Sequence, residues 1–578
     1  MKELMLGNEA IARGAYEAGV TVVSSYPGTP STEITECAAK YDEIYAEWAP
    51  NEKVALEVGL GAAIAGARTM CCMKHVGLNV AADPLFTASY TGMNAGLVIV
   101  VADDPGMHSS QNEQDSRYYA KAAHVPMLEA SDSAECKFMV KRALELSEEY
   151  DTPVLLRVTT RIAHARSLVE LCQREESPLK ALETNPRKYV MMPGFAKARH
   201  VVVEQRENRL AADCNAFSDL NRLELLGKDL GVVCSGAAYQ YVKEALPDAS
   251  VLKLGMVYPL PLDLVRQLSE HVRELVVIED GEPFFEEAIK AAGFAASGKE
   301  KTGVQGELFA RKVAALFAGA PDPGPMETPN IPVRPPVLCP GCPHRGLFYT
   351  LHKLGVRVSA DIGCYTLGAM PPLNAVDTVV CMGASIGMAH GGEKARGREF
   401  SEKTVAVIGD STFLHSGITG LINAVYNEST GVVIIADNST TGMTGHQENP
   451  ATGKNLKGDI APQVDLVNLC KSLGIHRVTV ADPFDLKEFT ALVKAELSAD
   501  ELSVIIARRP CALLKCVKPS PPLHVTDDCI NCKACMKLGC PAITNPGDRP
   551  RIDPALCNGC GLCAKVCPKG AIQGGAAE

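Results

Sequence analysis

Eight cysteines near the C-terminus fall into two short repeats, and they constrain this chain more than any other feature. The first repeat has the pattern C-x2-C-x2-C-x4-C-P and the second C-x2-C-x2-C-x3-C-P, formed by Cys529, Cys532, Cys535, Cys540, Cys557, Cys560, Cys563 and Cys567. The second spacing is that of iron–sulfur proteins in which three thiolates bind three corners of a cube and the fourth comes from elsewhere. The repeats therefore predict two [4Fe-4S] clusters.

The two repeats are expected to exchange their fourth ligands. One cluster would use Cys529, Cys532, Cys535 and Cys567, and the other Cys557, Cys560, Cys563 and Cys540. The proline after each remote cysteine fixes the backbone and removes a donor. Zinc is the alternative, although zinc sites usually combine two cysteine doublets.

Composition limits the classes of partner and the compartment. The net charge of -11 argues against nucleic acid or an anionic membrane as the main partner. No apolar run approaches the length that spans a bilayer, and the N-terminus has no signal-cleavage pattern. Of the 22 cysteines, eight bunch in the C-terminal repeats, so we expect a cytoplasmic protein that binds clusters in a reducing compartment.

Strand-like apolar runs alternate with helical patterns through most of the chain. This alternation predicts an α/β multidomain fold with parallel sheets. The expected strands include Val20–Ser25, Leu97–Ala102, Leu230–Cys234, Val251–Lys253, Glu274–Glu279, Thr378–Cys381, Thr404–Ile408, Val432–Ala436 and Ser503–Ala507. The predicted domains are 1–180, 225–320, 335–515 and 520–574, with an irregular connector at 181–224 and a proline-rich linker at 318–337.

Acidic and amide side chains follow two of these strands. Thr404–Ile408 runs into Gly409-Asp410-Ser411, and Asp437-Asn438 follows the next strand after 25 intervening residues. The pattern resembles the thiamine-diphosphate signature, from which it departs at Ser411 and Asp437. The resemblance implies Mg²⁺ ligands at Asp410, Asn438 and a carbonyl near Thr440, with Gly409, Ser411 and Gly383 also at the cofactor.

The N-terminal segment resembles the pyrimidine-binding domain of thiamine-diphosphate enzymes. In those enzymes a glutamate contacts the aminopyrimidine ring, which implies that role for Glu52, with Glu57 as the alternative. The turn Tyr26–Ser31 resembles one in pyruvate:ferredoxin oxidoreductases and implies that Thr29 lies close to substrate. A similar likeness implies that Arg117 binds the substrate carboxylate, and His75 is a weaker candidate for the same pocket.

A further cysteine set resembles the ligands of a cluster beside the thiamine in 2-oxoacid:ferredoxin oxidoreductases. It comprises Cys339, Cys342, Cys364 and Cys511. The resemblance implies a possible third [4Fe-4S] cluster. The alternatives are that these thiols are structural or that this branch has lost the cluster.

Nearly the whole chain resembles the large subunits of indolepyruvate-type enzymes in the 2-oxoacid:ferredoxin oxidoreductase family. The domain order is pyrimidine-binding domain, transketolase-C-like domain, diphosphate domain and two-cluster ferredoxin module. The likeness implies oxidative decarboxylation of arylpyruvates with coenzyme A, reduction of ferredoxin, and pairing with a smaller beta subunit. Another 2-oxoacid, a non-oxidative decarboxylase and a pure electron-transfer subunit remain open.

Overall fold

The computed structural model describes residues 1–321, 324, 332 and 335–574. The chain divides into two compact units, Met1–Pro329 and Asn330–Glu578. Much of the predicted linker at 318–337 lies outside the described residues. The expected α/β multidomain fold with parallel sheets is confirmed.

A seven-stranded sheet forms the centre of the first unit. In spatial order its strands are Met256–Tyr258, Met127–Glu129, Val154–Thr159, Leu97–Asp103, Thr69–Lys74, Val22–Ser25 and Tyr45–Trp48. All neighbours are parallel except the first pair. Leu97–Asp103 is buried along its whole length, as expected of a parallel strand that helices cover on both faces.

Helices surround this sheet. They are Gly7–Glu17, Thr32–Ala38, Glu52–Ile64, His75–Val80, Ala82–Thr91, Ser116–Ala123, Ser133–Tyr150 and Thr160–His164. An antiparallel ribbon, Lys2–Leu6 with Arg166–Glu170, completes this part of the unit.

A four-stranded sheet forms the rest of the first unit, in the order Glu274–Ile278, Leu230–Ser235, Ser250–Leu254 and Arg222–Glu224. The accompanying helices are Gly236–Ala245, Leu262–His271, Phe284–Ala291, Lys299–Thr302 and Ala310–Phe317. Met256–Tyr258 comes from this segment but joins the seven-stranded sheet. The two predicted N-terminal domains thus share one compact unit.

The prediction of an irregular connector at 181–224 is wrong. Residues 181–224 contain the short helix Pro186–Tyr189 and the 21-residue helix Pro193–Asp213. Only Val203, Arg206 and Leu210 of the longer helix are buried. Such a narrow buried stripe leaves a mostly polar sequence, which hides the helical period.

A five-stranded parallel sheet forms the centre of the second unit. Its order is Arg357–Ala360, Thr404–Gly409, Val432–Asp437, Ser503–Arg508 and Arg477–Ala481. The predicted strand Thr378–Cys381 is wrong, because this segment makes only an isolated bridge from Thr378 to Ser359. Val380 is more than half exposed, so the apolar run does not mark a buried strand.

Helices and a small cysteine-rich module complete the second unit. The helices are His344–Leu354, Ala384–Arg396, Arg398–Ser401, Asp410–Thr412, Ile418–Tyr426, Leu466–Ser472, Leu486–Leu497 and Leu562–Lys565. The module contains two antiparallel pairs, Leu523–Val525 with Ile572–Gly574 and Ile543–Thr544 with Arg551–Ile552. Across the residues that the structure describes, no helix is long and apolar enough to cross a bilayer.

Candidate functional site

Two adjacent strands of the second unit deliver Asp410 and Asn438 to the same sheet edge. Gly409 and Ala436 are register partners near the ends of these parallel strands. Asp410 comes immediately after the first strand, and Asn438 after the second. Ligands of open parallel sheets bind outside the carboxyl ends of the strands, so the fold places both residues at a binding edge.

Oxygen atoms converge at this edge. One terminal atom of the Asn438 amide lies 3.1 Å from Asp410 Oδ1 and 2.9 Å from the carbonyl oxygen of Thr440. If that atom is nitrogen, it donates to both oxygens. If it is oxygen, its two distances match those between neighbouring ligands of octahedral Mg²⁺, which lie about 3 Å apart at metal–oxygen distances of about 2.1 Å.

The environment of Asp410 also fits a bound cation. Its side chain is buried, and its Oδ2 atom has no hydrogen-bond partner. Burial and the nearby carboxylate of Asp437 raise the pKa of Asp410 to about 7. A buried carboxylate with an unpartnered oxygen is costly on its own, and a divalent cation would remove that cost.

The remaining residues predicted at this cofactor site have different surroundings. A Cβ at Gly409 would lie 2.6 Å from the ring of Tyr365, so close ring packing already requires glycine there. Ser411 is buried and its hydroxyl accepts a 3.0 Å hydrogen bond from Thr441. Gly383 has a φ of 85° and precedes the helix Ala384–Arg396.

Asp361 is a residue at this edge that sequence reasoning missed. It follows the strand Arg357–Ala360 and is fully buried. Its carboxylate accepts the backbone N–H of Gly383 at 2.7 Å and of Ser385 at 3.0 Å. Asp361 therefore caps the helix that begins at Ala384. The only available signal was an acidic residue directly after a strand that the sequence analysis had not identified.

In the first unit, Thr29, Glu52 and His75 all follow the carboxyl ends of neighbouring strands. The strands are Val22–Ser25, Tyr45–Trp48 and Thr69–Lys74, which lie side by side. The sheet topology thus brings these three predicted residues to one edge.

Glu52 is held at the start of its helix. Asn51 caps that helix by accepting a 2.9 Å hydrogen bond from the Val54 N–H. The Glu52 side chain is 4% exposed and lies directly against Gly77, where an added Cβ would be 2.7 Å from Glu52 Oε1. Glu57 is exposed and pairs with Lys53. Burial therefore favours Glu52 over Glu57 as the residue facing a cofactor.

The Thr29 turn lies beside a buried lysine. Thr29 is half-buried, and a Cβ at Gly28 would lie 3.1 Å from Cβ of Lys74. The Lys74 ammonium donates to the carbonyl of Ser109 at 2.5 Å, and burial lowers its pKa. His75 is fully buried, with Nε2 3.2 Å from the Asn112 carbonyl. Lys74 was not predicted as a site residue, although it directly precedes the candidate His75 in the sequence.

The structure does not support Arg117 as a free carboxylate-binding group. Its guanidinium is fully buried and bonds to Asp115 at 2.8 and 2.5 Å and to Glu279 at 2.5 Å. It also donates to the carbonyls of Asp280 and Glu282. These contacts account for most of its donors, so Arg117 stabilises the fold in this structure.

Cys567 lies with the first cysteine triplet. Cys529, Cys532, Cys535 and Cys567 line one cavity. The cysteines of the other predicted set, Cys540, Cys557, Cys560 and Cys563, also pack in one hydrophobic cluster, which Cys535 and Cys567 share.

The four cysteines of the predicted third cluster share a cavity of about 100 Å³. Cys339, Cys342, Cys364 and Cys511 all line it, together with Asn438 and His446. A Cβ added at Gly442 would be 3.5 Å from both Cys364 Sγ and Asn438 Nδ2. The cysteine cavity thus adjoins the proposed metal ligands within the second unit.

Sulfur spacing argues against zinc at these sites. Tetrahedral zinc with Zn–S distances of about 2.3 Å holds its sulfurs about 3.8 Å apart. Within the described ranges, no three cysteines have sulfur atoms within 4.8 Å of one another. An iron–sulfur cube, which binds a thiolate at each of four separate iron atoms, is the better fit to wider spacing.

Three family profiles match separate parts of the chain. "Pyruvate flavodoxin/ferredoxin oxidoreductase, thiamine diP-bdg" matches residues 13–214, and "Thiamine pyrophosphate enzyme, C-terminal TPP binding domain" matches 361–507. "4Fe-4S binding domain" matches 550–573, which includes the second cysteine repeat.

Full-length relatives decide the family. An indolepyruvate oxidoreductase subunit IorA from Archaeoglobus fulgidus is 39% identical and covers 99% of this chain and 97% of its own length. The IorA subunit from Methanothermobacter marburgensis is 40% identical, covering 98% of this chain and 97% of its own length, and that from Pyrococcus horikoshii is 40% identical, covering 99% and 97%.

The chain belongs to the 2-oxoacid:ferredoxin oxidoreductase family. As a 2-oxoacid:ferredoxin oxidoreductase subunit it is an oxidoreductase, and its matched domains are those that bind thiamine diphosphate and an iron–sulfur cluster. The thiamine profiles cover Glu52 in the first unit and Asp410 and Asn438 in the second.

Proposed function

We propose that this chain is the large subunit of an enzyme that oxidatively decarboxylates arylpyruvates, with indolepyruvate as the preferred substrate. In the reaction, an arylpyruvate and coenzyme A give an arylacetyl-CoA, CO2, one proton and two electrons. The electrons reduce ferredoxin. A smaller beta subunit completes the enzyme.

Asp410, Asn438 and the Thr440 carbonyl would hold Mg²⁺, which in turn anchors the diphosphate of the cofactor. The Asn438 amide lies 3.1 Å from Asp410 Oδ1 and 2.9 Å from the Thr440 carbonyl oxygen, and Oδ2 of buried Asp410 is unpartnered; both observations support this assignment. Thiamine diphosphate would supply the nucleophilic carbon and the electron sink that the loss of CO2 requires.

Glu52 would exchange a proton with the aminopyrimidine of the cofactor. Its carboxylate is buried at a helix N-terminus, where the capped backbone favours negative charge. The contact with Gly77 limits where that carboxylate can lie.

Lys74, rather than Arg117, would orient the substrate carboxylate. It is a buried cation beside the Thr29 turn, and no described carboxylate forms an ion pair with it within 4.0 Å. Its recorded hydrogen bond to Ser109 leaves donors available. Thr29, which is half-buried in the same turn, would donate from its hydroxyl to the substrate.

One hydrogen bond supports an oxidative reaction over a non-oxidative decarboxylation. The backbone N–H of Cys511 donates at 2.9 Å to the carbonyl of Asn438. A cluster-ligand candidate is thereby attached to a magnesium-ligand candidate. A non-oxidative decarboxylase has no use for a redox centre at that point, whereas an oxidoreductase needs an acceptor beside the thiamine.

The choice of arylpyruvates rests on the relatives named as indolepyruvate oxidoreductases. Another 2-oxoacid, such as pyruvate or a branched-chain oxoacid, is the alternative with the same chemistry. A second group of relatives, 24% identical over about half the chain, carries the name 2-oxoglutarate synthase subunit KorA.

An anaerobic assay separates these functions. The chain is mixed with its partner subunit, one 2-oxoacid, coenzyme A and a viologen dye. Dye reduction that requires coenzyme A and is fastest with indolepyruvate supports the proposal, and faster reduction with another oxoacid changes the substrate. Aldehyde release without dye reduction indicates a decarboxylase. No turnover of any oxoacid indicates an electron-transfer subunit.

A further inference from the structure

Arg345 is a buried cation that contacts two cysteine-bearing segments. It lies at the start of the helix His344–Leu354 and is 2% exposed. Its Nη1 donates to the carbonyl of Leu538 at 2.6 Å, and its Nη2 donates to the carbonyls of Leu338 and, at 3.1 Å, Cys339. Leu538 lies between Cys535 and Cys540.

Nothing described around Arg345 neutralises its charge. Within the described part of the chain, no carboxylate oxygen lies within 4.0 Å of its guanidinium nitrogens, and its Nε has no hydrogen-bond partner. A buried, uncompensated cation is strongly unfavourable. The positive end of a helix adds to that cost, because cations are favoured at the opposite terminus.

Arg206 in the first unit provides a comparison. It is also buried, donates to the carbonyls of Ser89 and Asp151, and has an unpartnered Nε. However, the charges of Asp151 and Glu207 act on Arg206 and favour its charged form. Arg345 has no such acidic neighbour among its described contacts.

Arg345 faces the cysteine segments of two predicted cluster sites. Its Nη2 donates to the carbonyl of Cys339, and a Cβ added at Gly539, the neighbour of Cys540, would lie 3.5 Å from its Nη1. Cys339 belongs to the set that includes Cys364 and Cys511, and Cys540 belongs to the second ferredoxin-type set. One guanidinium therefore lies beside both sets.

We propose that Arg345 is a positioning residue that compensates the charge of two neighbouring [4Fe-4S] clusters and raises their reduction potentials. The inference rests on the proposed function, in which both cysteine sets bind clusters. Four thiolates make each site anionic, and each reduction adds a further negative charge. A nearby fixed cation stabilises the reduced form of both clusters, and so favours the acceptance of electrons from the thiamine site.

The test compares Arg345→Gln with the wild-type complex, both purified without air. Iron and sulfide are measured first, and then the clusters are titrated by electron paramagnetic resonance at controlled potentials. With iron retained, the ratio of reduced to oxidised cluster at a fixed potential should fall about tenfold in two of the three clusters, which is 59 mV for a one-electron couple. The cluster of Cys529, Cys532, Cys535 and Cys567 should not shift.

Controls keep each outcome informative. Unchanged potentials in an iron-replete Arg345→Gln variant would overturn the inference. If that variant loses iron, Arg345→Lys decides, since retained charge should restore iron and near-wild-type potentials; equal loss in both variants would overturn it. Arg206→Gln, which replaces a comparable buried arginine, should lower the free energy of unfolding but should leave every cluster potential unchanged. Failure of the proposed function would look different, since the wild-type complex itself would then lack clusters from the Cys339 or Cys557 segments.

Discussion

The backbone N–H of Cys511 donates to the carbonyl oxygen of Asn438 at 2.9 Å. These residues follow two adjacent parallel strands, Ser503–Arg508 and Val432–Asp437. The sheet therefore brings a predicted cluster ligand and a predicted metal ligand to the same edge. This hydrogen bond involves only main-chain atoms, so it would survive replacement of the Cys511 side chain.

Cys511→Ser should remove the proposed cluster of Cys339, Cys342, Cys364 and Cys511. We expect a loss of about four iron atoms per chain, with thiamine diphosphate binding retained because the main-chain contact to Asn438 remains. Metal analysis together with cofactor binding measures both. Cys516→Ser is the matched control, since Cys516 is exposed and outside all three sets. Equal iron in wild type and Cys511→Ser would refute a third cluster that uses this ligand.

Cys567→Ser should empty the site of the first repeat, not the second. The reason is that Cys567 shares a cavity with Cys529, Cys532 and Cys535. Thiol alkylation under anaerobic conditions, followed by peptide mapping, should label that triplet and leave Cys557, Cys560 and Cys563 protected. Labelling of the second triplet alone would show that the repeats do not exchange ligands.

Gly77→Ala should impair catalysis by displacing Glu52. The new Cβ would lie 2.7 Å from Cγ and Oε1 of Glu52, so the carboxylate must move. A misplacement of about 1 Å at a catalytic group costs on the order of 10²-fold in turnover. Gly61→Ala, in the same helix as Glu52 and with no atom within 4 Å of its added Cβ, is the control and should keep its activity. Wild-type turnover in Gly77→Ala would remove Glu52 from the mechanism.

Patterns of residues predicted the sheets better than they predicted the surroundings of single side chains. The apolar run Val432–Ala436 lies in the central strand Val432–Asp437, because burial on both faces demands a continuous apolar sequence. Nothing in the sequence indicated that Gly77 contacts Glu52. The strand Thr69–Lys74 separates their two helices along the chain, so the residues come together only in the folded protein. The helix Pro193–Asp213 was not predicted, because only three of its residues are buried and the sequence shows little helical periodicity.

The contacts of Arg117 are a feature that resemblance to a family does not reveal. The sequence carries the arginine at the expected position, but its guanidinium forms an ion pair with Glu279, which lies 162 residues further along the chain. Neither motif nor spacing could reveal that partner. The position of Lys74 could not be predicted for the same reason, because its burial beside the Thr29 turn depends on which strands are neighbours in the sheet.

Arg117→Leu should act mainly on stability. It would leave Asp115 and Glu279 buried without their counter-charge, at a cost of about 3–5 kcal/mol. Urea unfolding of the complex should show this loss. Arg166→Leu, at an exposed position in the ribbon strand Arg166–Glu170, is the control and should change stability by about 0.5 kcal/mol or less. Full stability of Arg117→Leu with a raised KM for the oxoacid would instead restore the carboxylate-binding role.

The most direct test of the account is equilibrium binding of thiamine diphosphate to the anaerobically purified complex, with Mg²⁺ and then with a chelator. We expect saturable binding that requires the metal, is lost in Asp410→Ala, and persists in Asp437→Asn, whose carboxylate pairs with Arg508 and is not one of the proposed magnesium ligands. The central claim would be contradicted if neither the chelator nor Asp410→Ala weakened binding, or if the wild-type complex did not bind thiamine diphosphate.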